Sequence, residues 1–165
     1  MALTTAQQAV IKAAILADPV LAAKPNNDDG NFDIAAALNQ SATPDFYVWK
    51  SSVEVTEIMQ NGFDWTRVDN LTVGKARIWE WMTIASTIHP NQANVRAGIL
   101  AVFTTAADLA TRLAAFQHCQ RLATRVEKLL ATGTGTTTTD QSVGPATMGF
   151  EGPITGSDVF YARIS

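Results

Sequence analysis

Residues 132–145 read TGTGTTTTDQSVGP, a run of small and polar residues with a single aliphatic side chain, Val143. Such a stretch brings almost no apolar surface to a core and resists local folding, so it reads as a flexible or extended link. It divides the chain into a body, 1–131, and a terminal segment, 132–165. The core is expected in the body.

The body has the material for one. At 165 residues, 47% hydrophobic and 16% charged, the chain fits one domain with a modest core, and the composition is not that of a disordered body. Its apolar residues recur mostly at helical spacing. Thr4 or Thr5 caps a first helix carrying Ala9, Val10, Ala13, Ala14, Leu16 and Ala17, and Asp18-Pro19 ends it because the residue before a proline avoids the helical region. Lys24–Asn31, KPNNDDGN, reads as a loop, after which Asn31 or Asp33 caps a short helix, FDIAAALNQ.

Thr43-Pro44-Asp45 starts a helical turn with proline near its first position. FYVWKSSVEVTEI is β-branched and aromatic, but its apolar spacing fits neither period cleanly. A short helix, a turn at Ser51-Ser52 and a second short helix are expected. Asn61-Gly62 is a break, and Asp64-Trp65 begins another short turn.

From Asn70 the pattern sharpens. Leu71, Ala76, Ile78, Trp79, Met82 and Ala85 form one broad stripe in a segment closed by Pro90, and Val95, Ile99, Val102 and Phe103 form another. Thr105 then caps the longest helix, whose buried stripe is Leu109, Leu113, Phe116, Leu122, Val126, Leu129 and Leu130. Beyond the link, ATMGFEGPIT is a strand or narrow hairpin with Glu151-Gly152 at the bend, and Ser157 caps a final turn. The expected fold class is mainly α: a helical bundle with an extended C-terminal arm containing a short strand or hairpin and a final helical turn.

A lone strand is unstable, and the body offers no convincing sheet. The terminal strand is therefore expected to pair outside its own chain, as strand-addition motifs do. On this reading 132–165 is a docking arm, and deleting it leaves a folded helical body that no longer assembles.

Charge is unevenly spread. Residues 1–70 hold four Lys/Arg against nine Asp/Glu, 71–131 seven against three, and 132–165 one against three, for a net −3 and a pI of about 5.2. The chain as a whole is no basic nucleic-acid binder, but its polarity suits head-to-tail contact between copies. Arg112, Arg121, Arg125 and Lys128 lie along the longest expected helix, as a channel-lining or inter-subunit basic face. Cys119 is the only cysteine, so no intrachain disulfide forms and a reducing compartment is the natural setting. The start of the sequence lacks the pattern of a secretion signal, and no apolar run reaches the ~18 residues of a membrane span.

Chemical motifs are sparse. His118 and Cys119 are neighbours, which point about 100° apart on a helix, with no second ligand cluster for zinc. His89, beside Pro90, reads as a surface residue. The Thr132–Gly135 TGTG follows a helix rather than opening one and has no lysine after it, so it is a helix stop and not a phosphate loop. Asp28-Asp29-Gly30 lacks the distant Glu of a calcium loop. Trp79 belongs to the apolar stripe, whereas Trp81 lies about 200° further round; one of the pair is expected to face outward. No nucleophile motif, catalytic residue, cofactor site or metal site is assigned.

RLATRVEKLLATGTGT followed by PATMGFEGPITGSDV resembles the end of a family of small proteins from the structural gene clusters of tailed bacteriophages and prophages. DIAAALN, FYVWKSSVEVTEI and LTVGKARIWEWM are similar to its earlier portions. This chain departs from the pattern with Leu130 where relatives have Phe, and with a longer threonine run. In size, helical body and extended tail the family is similar to head-to-tail connector, or adaptor, proteins.

That resemblance implies a non-enzymatic virion component of the neck, assembled in the bacterial cytoplasm. It implies a homo-oligomeric, commonly dodecameric ring on the portal protein, meeting the next neck or tail protein. Packaged DNA would pass through without sequence-specific contact, and no membrane is involved. It implies an arm that grips the portal through Phe150, Ile154, Val159, Phe160 and Tyr161. A decoration or tail-completion protein, a DNA-packaging accessory and a tail-borne wall hydrolase are the alternatives.

Overall fold

Thr4 and Gln7 set the first helix. The Thr4 hydroxyl accepts from the Gln7 N–H at 3.3 Å and the Gln7 side chain accepts from the Thr4 N–H at 2.9 Å, a reciprocal cap that satisfies two otherwise orphaned donors. In the computed structural model, which describes residues 3–138 and 144–165, that helix is the first of ten. The order is α1 (Thr5–Ala17), α2 (Pro19–Ala22), α3 (Asp28–Leu38), β1 (Tyr47–Trp49), β2 (Val53–Glu54), α4 (Val55–Ile58), α5 (Thr66–Asp69), α6 (Val73–Thr83), β3 (Thr87–Ile88), α7 (Ala93–Val102), α8 (Leu109–His118), β4 (Gln120–Leu122), α9 (Arg125–Leu130), β5 (Ala131–Thr132), β6 (Thr147–Met148) and α10 (Gly156–Ile164). The mainly α class holds, but the helices are short and the chain forms two compact units rather than the expected body and arm.

The first unit comprises Met1–Phe46, Leu122–Thr132 and Met148–Ser165. Asp18 ends α1 and caps α2, its carboxylate accepting from Val20 N–H at 3.0 Å and Leu21 N–H at 3.3 Å. The Leu21 bond is the first of the causes that hold this carboxyl below its ordinary value. α3 begins four residues earlier than the expected Asn31 cap. Asn27 accepts from Gly30 N–H at 2.9 Å, Asp28 and Asp29 occupy the first turn where carboxylates suit the helix dipole, and Asn31 is buried.

α10 packs on α3 and α1. Ile11, Ile15, Ile34, Leu38, Val159 and Ala162 form one apolar core with Phe150 and Ile154. Each large aliphatic side chain buried there contributes on the order of 1.5–3 kcal/mol.

The expected extended arm is not what these residues form. Residues 148–165 fold back onto their own chain because α10 is a full amphipathic helix, capped by Thr155 and Asp158 rather than Ser157, with an apolar stripe to bury. No hairpin forms at Glu151-Gly152. Met148, in β6, lies beside β5, and the Gly149 N–H donates to the Leu130 carbonyl at 3.2 Å. Glu127, itself buried, caps α9 through Thr124 N–H at 3.0 Å and accepts from Gly152 N–H at 3.1 Å.

The second unit comprises Tyr47–Arg121 and Gly133–Thr147. Its core is aromatic: Trp79 stacks on Phe63 with centroids 5.7 Å apart, and Phe103 meets Phe63 edge-on at 5.8 Å and Trp79 at 5.2 Å. FYVWKSSVEVTEI is not two helices. Its β-branched and aromatic first half makes β1, which pairs with β4, and β2 pairs antiparallel with β3 through Val53 and Ile88 before α4 begins. Thr43-Pro44, a cis peptide, starts no helical turn.

The link is not free either where it is described. Tyr47 N–H donates to the Gly135 carbonyl at 2.7 Å, Thr138 N–H to the Gln120 side chain at 2.9 Å, and Trp49 N–H to the Ala146 carbonyl at 3.0 Å. Gly133 sits at φ 130°, where a Cβ would come within 3.1 Å of Ala146 Cα. The link residues 139–143 lie outside the described residues. Finally, the longest expected helix is two: α8 stops at Cys119, and β4 intervenes before Thr124 restarts the chain as α9. Leu109, Leu122 and Leu129 are exposed rather than buried.

Candidate functional site

Of the five residues expected to anchor a partner, Phe150, Ile154 and Val159 are core residues of the first unit, and only Phe160 (41%) and Tyr161 (56%) reach solvent. The helix explains the division: Val159 and Ala162 form the inner stripe of α10, and 160 and 161 fall outside it.

Arg163 locks this helix in place. It donates to the Pro25 carbonyl at 3.0 Å, the Lys24 carbonyl at 2.9 Å and the Asn31 side chain at 2.9 Å. Beside that clamp, α10 and α3 approach so closely at Gly156 that a Cβ there would lie 3.3 Å from the Phe32 nitrogen. The two helices leave a groove of about 530 Å³ walled by Phe32, Phe160 and Tyr161, with Asp28 and Asp29 at its rim. Phe32 is 68% exposed. The Phe160 and Tyr161 rings meet edge-on at 5.6 Å. From sequence the acidic pair falls in a loop and Phe32 opens a short helix; in the structure Asp28, Asp29 and Phe32 share α3.

In the second unit, α6 presents a different surface. Trp79 is buried in the aromatic core, while Trp81 is 68% exposed, as the 200° between them requires. Val73 and Ile84 are exposed still further, and Arg77 lies on the same side between them. Trp65 is also outward, edge-on to Phe63 at 5.5 Å. Two of the four tryptophans are therefore core and two are not.

The basic face does not form one stripe. Arg112 lies on α8 and donates to the Phe103 carbonyl at 2.8 Å, and Arg121 lies on β4. Both belong to the second unit. Arg125 and Lys128 lie on α9 in the first, where Arg125 pairs with Asp18 at 3.2 Å and the Lys128 ammonium sits over the Phe46 ring at 5.5 Å. The break at Cys119 removes the single helix that would have aligned all four.

Among the described residues no group of three or more His, Cys, Asp and Glu side chains is placed to hold a metal ion. His89 bonds the Ser51 carbonyl at 2.8 Å, His118 contacts the Asn61 carbonyl at 3.4 Å, and Cys119 is fully buried. No single helix among the described residues is long and apolar enough to cross a membrane. No protein-family model, curated protein or solved structure matches the chain.

Proposed function

We propose that this chain is a virion structural protein of a tailed bacteriophage, a head-to-tail adaptor whose copies form a ring on the portal and extend the channel for packaged DNA. The resemblance carried by RLATRVEKLLATGTGT and PATMGFEGPITGSDV supplies the setting. The observation that carries the reading further is the pair of uncovered apolar surfaces on the folded units, Val73, Trp81 and Ile84 on one and Phe32, Phe160 and Tyr161 on the other. Exposed aromatic clusters of this kind are costly on an isolated chain and useful in an assembly.

In this reading contacts are made by the faces of folded units, and the last eighteen residues hold the subunit together instead of gripping a neighbour. Cryo-electron microscopy of particles carrying a tagged copy tests the assignment, with density expected at the single vertex between head and tail. Copies spread over the capsid faces would make the chain a decoration protein. Salt-dependent DNA affinity in the purified chain would favour a packaging accessory, and release of soluble fragments from peptidoglycan a wall hydrolase.

A further inference from the structure

We propose that the α6 ridge of one copy seats in the α3–α10 groove of the next, with Trp81 against Phe32 and Arg77 between Asp28 and Asp29. The inference rests on the reading of the chain as an assembly subunit and names the surfaces by which copies meet.

The ridge is geometrically simple. Val73, Arg77, Trp81 and Ile84 fall within about 80° of one another around α6, and the three apolar members are among the most exposed large side chains in the protein, at 76%, 68% and 83%. Arg77 makes no side-chain hydrogen bond or ion pair among the described residues. The groove is its complement. Phe32, Phe160 and Tyr161 supply its aromatic wall among otherwise small and polar lining residues, its volume of about 530 Å³ leaves room for a large side chain, and Asp28 and Asp29 are likewise without a cationic partner among the described residues.

Spacing fixes the direction. Arg77 precedes Trp81 by four residues, about 6 Å of helix, and Asp28 precedes Phe32 by the same four. When α6 runs parallel to the neighbouring α3, indole meets phenyl and guanidinium meets the carboxylates together. The antiparallel arrangement with the same aromatic contact would set Ile84 against Asp28 and Asp29, leaving both carboxylates facing an aliphatic side chain. Glu80, beside Arg77 on the ridge, adds a repulsion if the helix slides one turn toward the rim. The contact joins two different surfaces, so it is heterologous and propagates from copy to copy.

The test uses the full-length chain. Analytical ultracentrifugation is expected to show concentration-dependent association, weakened roughly 30-fold or more by Trp81→Ala, as for an aromatic anchor at the centre of an interface. Phe32→Ala should behave alike. Because each variant keeps the surface the other has lost, mixing the two should give dimers and nothing larger. Arg77→Glu, and Asp28→Lys with Asp29→Lys, should each weaken association, and the triple variant should recover it. All these side chains are exposed, and circular dichroism checks that each variant is folded.

In particles, Asp29→Cys with Arg77→Cys should oxidise to a ladder of covalent oligomers. A wild-type chain that stays monomeric at all concentrations, a Trp81→Ala variant that associates normally, or no recovery in the triple variant overturns the proposal. Wild-type copies at the neck with no ladder would remove this contact and leave the adaptor reading standing. A ladder in particles whose neck lacks the chain would do the reverse.

Discussion

Asn39 and Ile154 exchange two hydrogen bonds: the Asn39 amide nitrogen donates to the Ile154 carbonyl at 2.8 Å, and the Ile154 N–H donates to the Asn39 side-chain oxygen at 2.9 Å. A side chain at the end of α3 thus does for the terminal segment what a neighbouring strand would do. Replacing Asn39 by Ala leaves both backbone groups of a buried residue without partners, which costs about 2–3 kcal/mol. Asn39→Asp retains only the acceptor and sets a carboxylate against a carbonyl, so it should fare no better. Urea denaturation should show a lower midpoint with little change in slope, and limited proteolysis should cut first before residue 154.

That pairing spans 115 residues, which is why the return of the tail was not legible in the sequence. Strong local signals are legible in the sequence. A cap at Thr4, one of the two threonines at the start of the first helix, the stop at Asp18-Pro19, and the inward Trp79 with outward Trp81 follow from capping and helical period alone. Other local signals compete with one another. Thr124 with Glu127 is a capping box in the middle of the supposed longest helix, and it marks the restart of the chain after Cys119. Leu122 and Val126 happen to continue the apolar spacing of α8 across that break, so period outweighed punctuation. The threonine tract is opaque for a different reason: its described residues are held through backbone bonds to β1 and Gln120, which an apolar pattern cannot register.

Phe150 separates the core from the arm description most directly. As a portal anchor it could be truncated without harm to the fold. Placed as it is among the first unit's buried residues, Phe150→Ala should cost about 3–5 kcal/mol. Removing residues 148–165 altogether uncovers Ile11, Ile15, Ile34 and Leu38, so the shortened chain is expected to lose its cooperative thermal transition and to aggregate. Differential scanning calorimetry of both variants checks this, and a truncated chain that melts like the full one would restore the arm.

Cys119 is fully buried, and burial pushes its thiol from an ordinary value of 9.0 up to about 12. The nearby Lys50 opposes this and Glu57 assists it. Between those two pH values the unfolded chain releases a proton that the folded chain keeps. The folded state then binds more protons, so stability falls as pH rises, approaching about 1.4 kcal/mol per pH unit from this group. Below pH 9.0 both states hold the proton and the contribution vanishes. The difference in stability between wild type and Cys119→Ala, measured by denaturation from pH 7 to 11, should therefore be flat at first and then change in favour of the variant. At pH 8 the native thiol should resist alkylation that proceeds readily in denaturant.

Gly30 gives a case in which two rules disagree on sign. It lies inside α3, where helix propensity alone predicts that Gly→Ala stabilises by about 1 kcal/mol. A Cβ at this position would run into the Pro25 carbonyl oxygen, a backbone atom that also accepts from Arg163. Relief requires either moving the loop before α3 or breaking the Arg163 clamp that ties α10 to it. Both losses exceed the propensity gain, so Gly30→Ala should lower the melting temperature, and adding Arg163→Ala should cost less in the Gly30→Ala background than alone. A double-mutant cycle measures that coupling. An additive cycle, or a Gly30→Ala variant that melts higher than wild type, would show that the loop yields freely and that the clamp does not depend on its position.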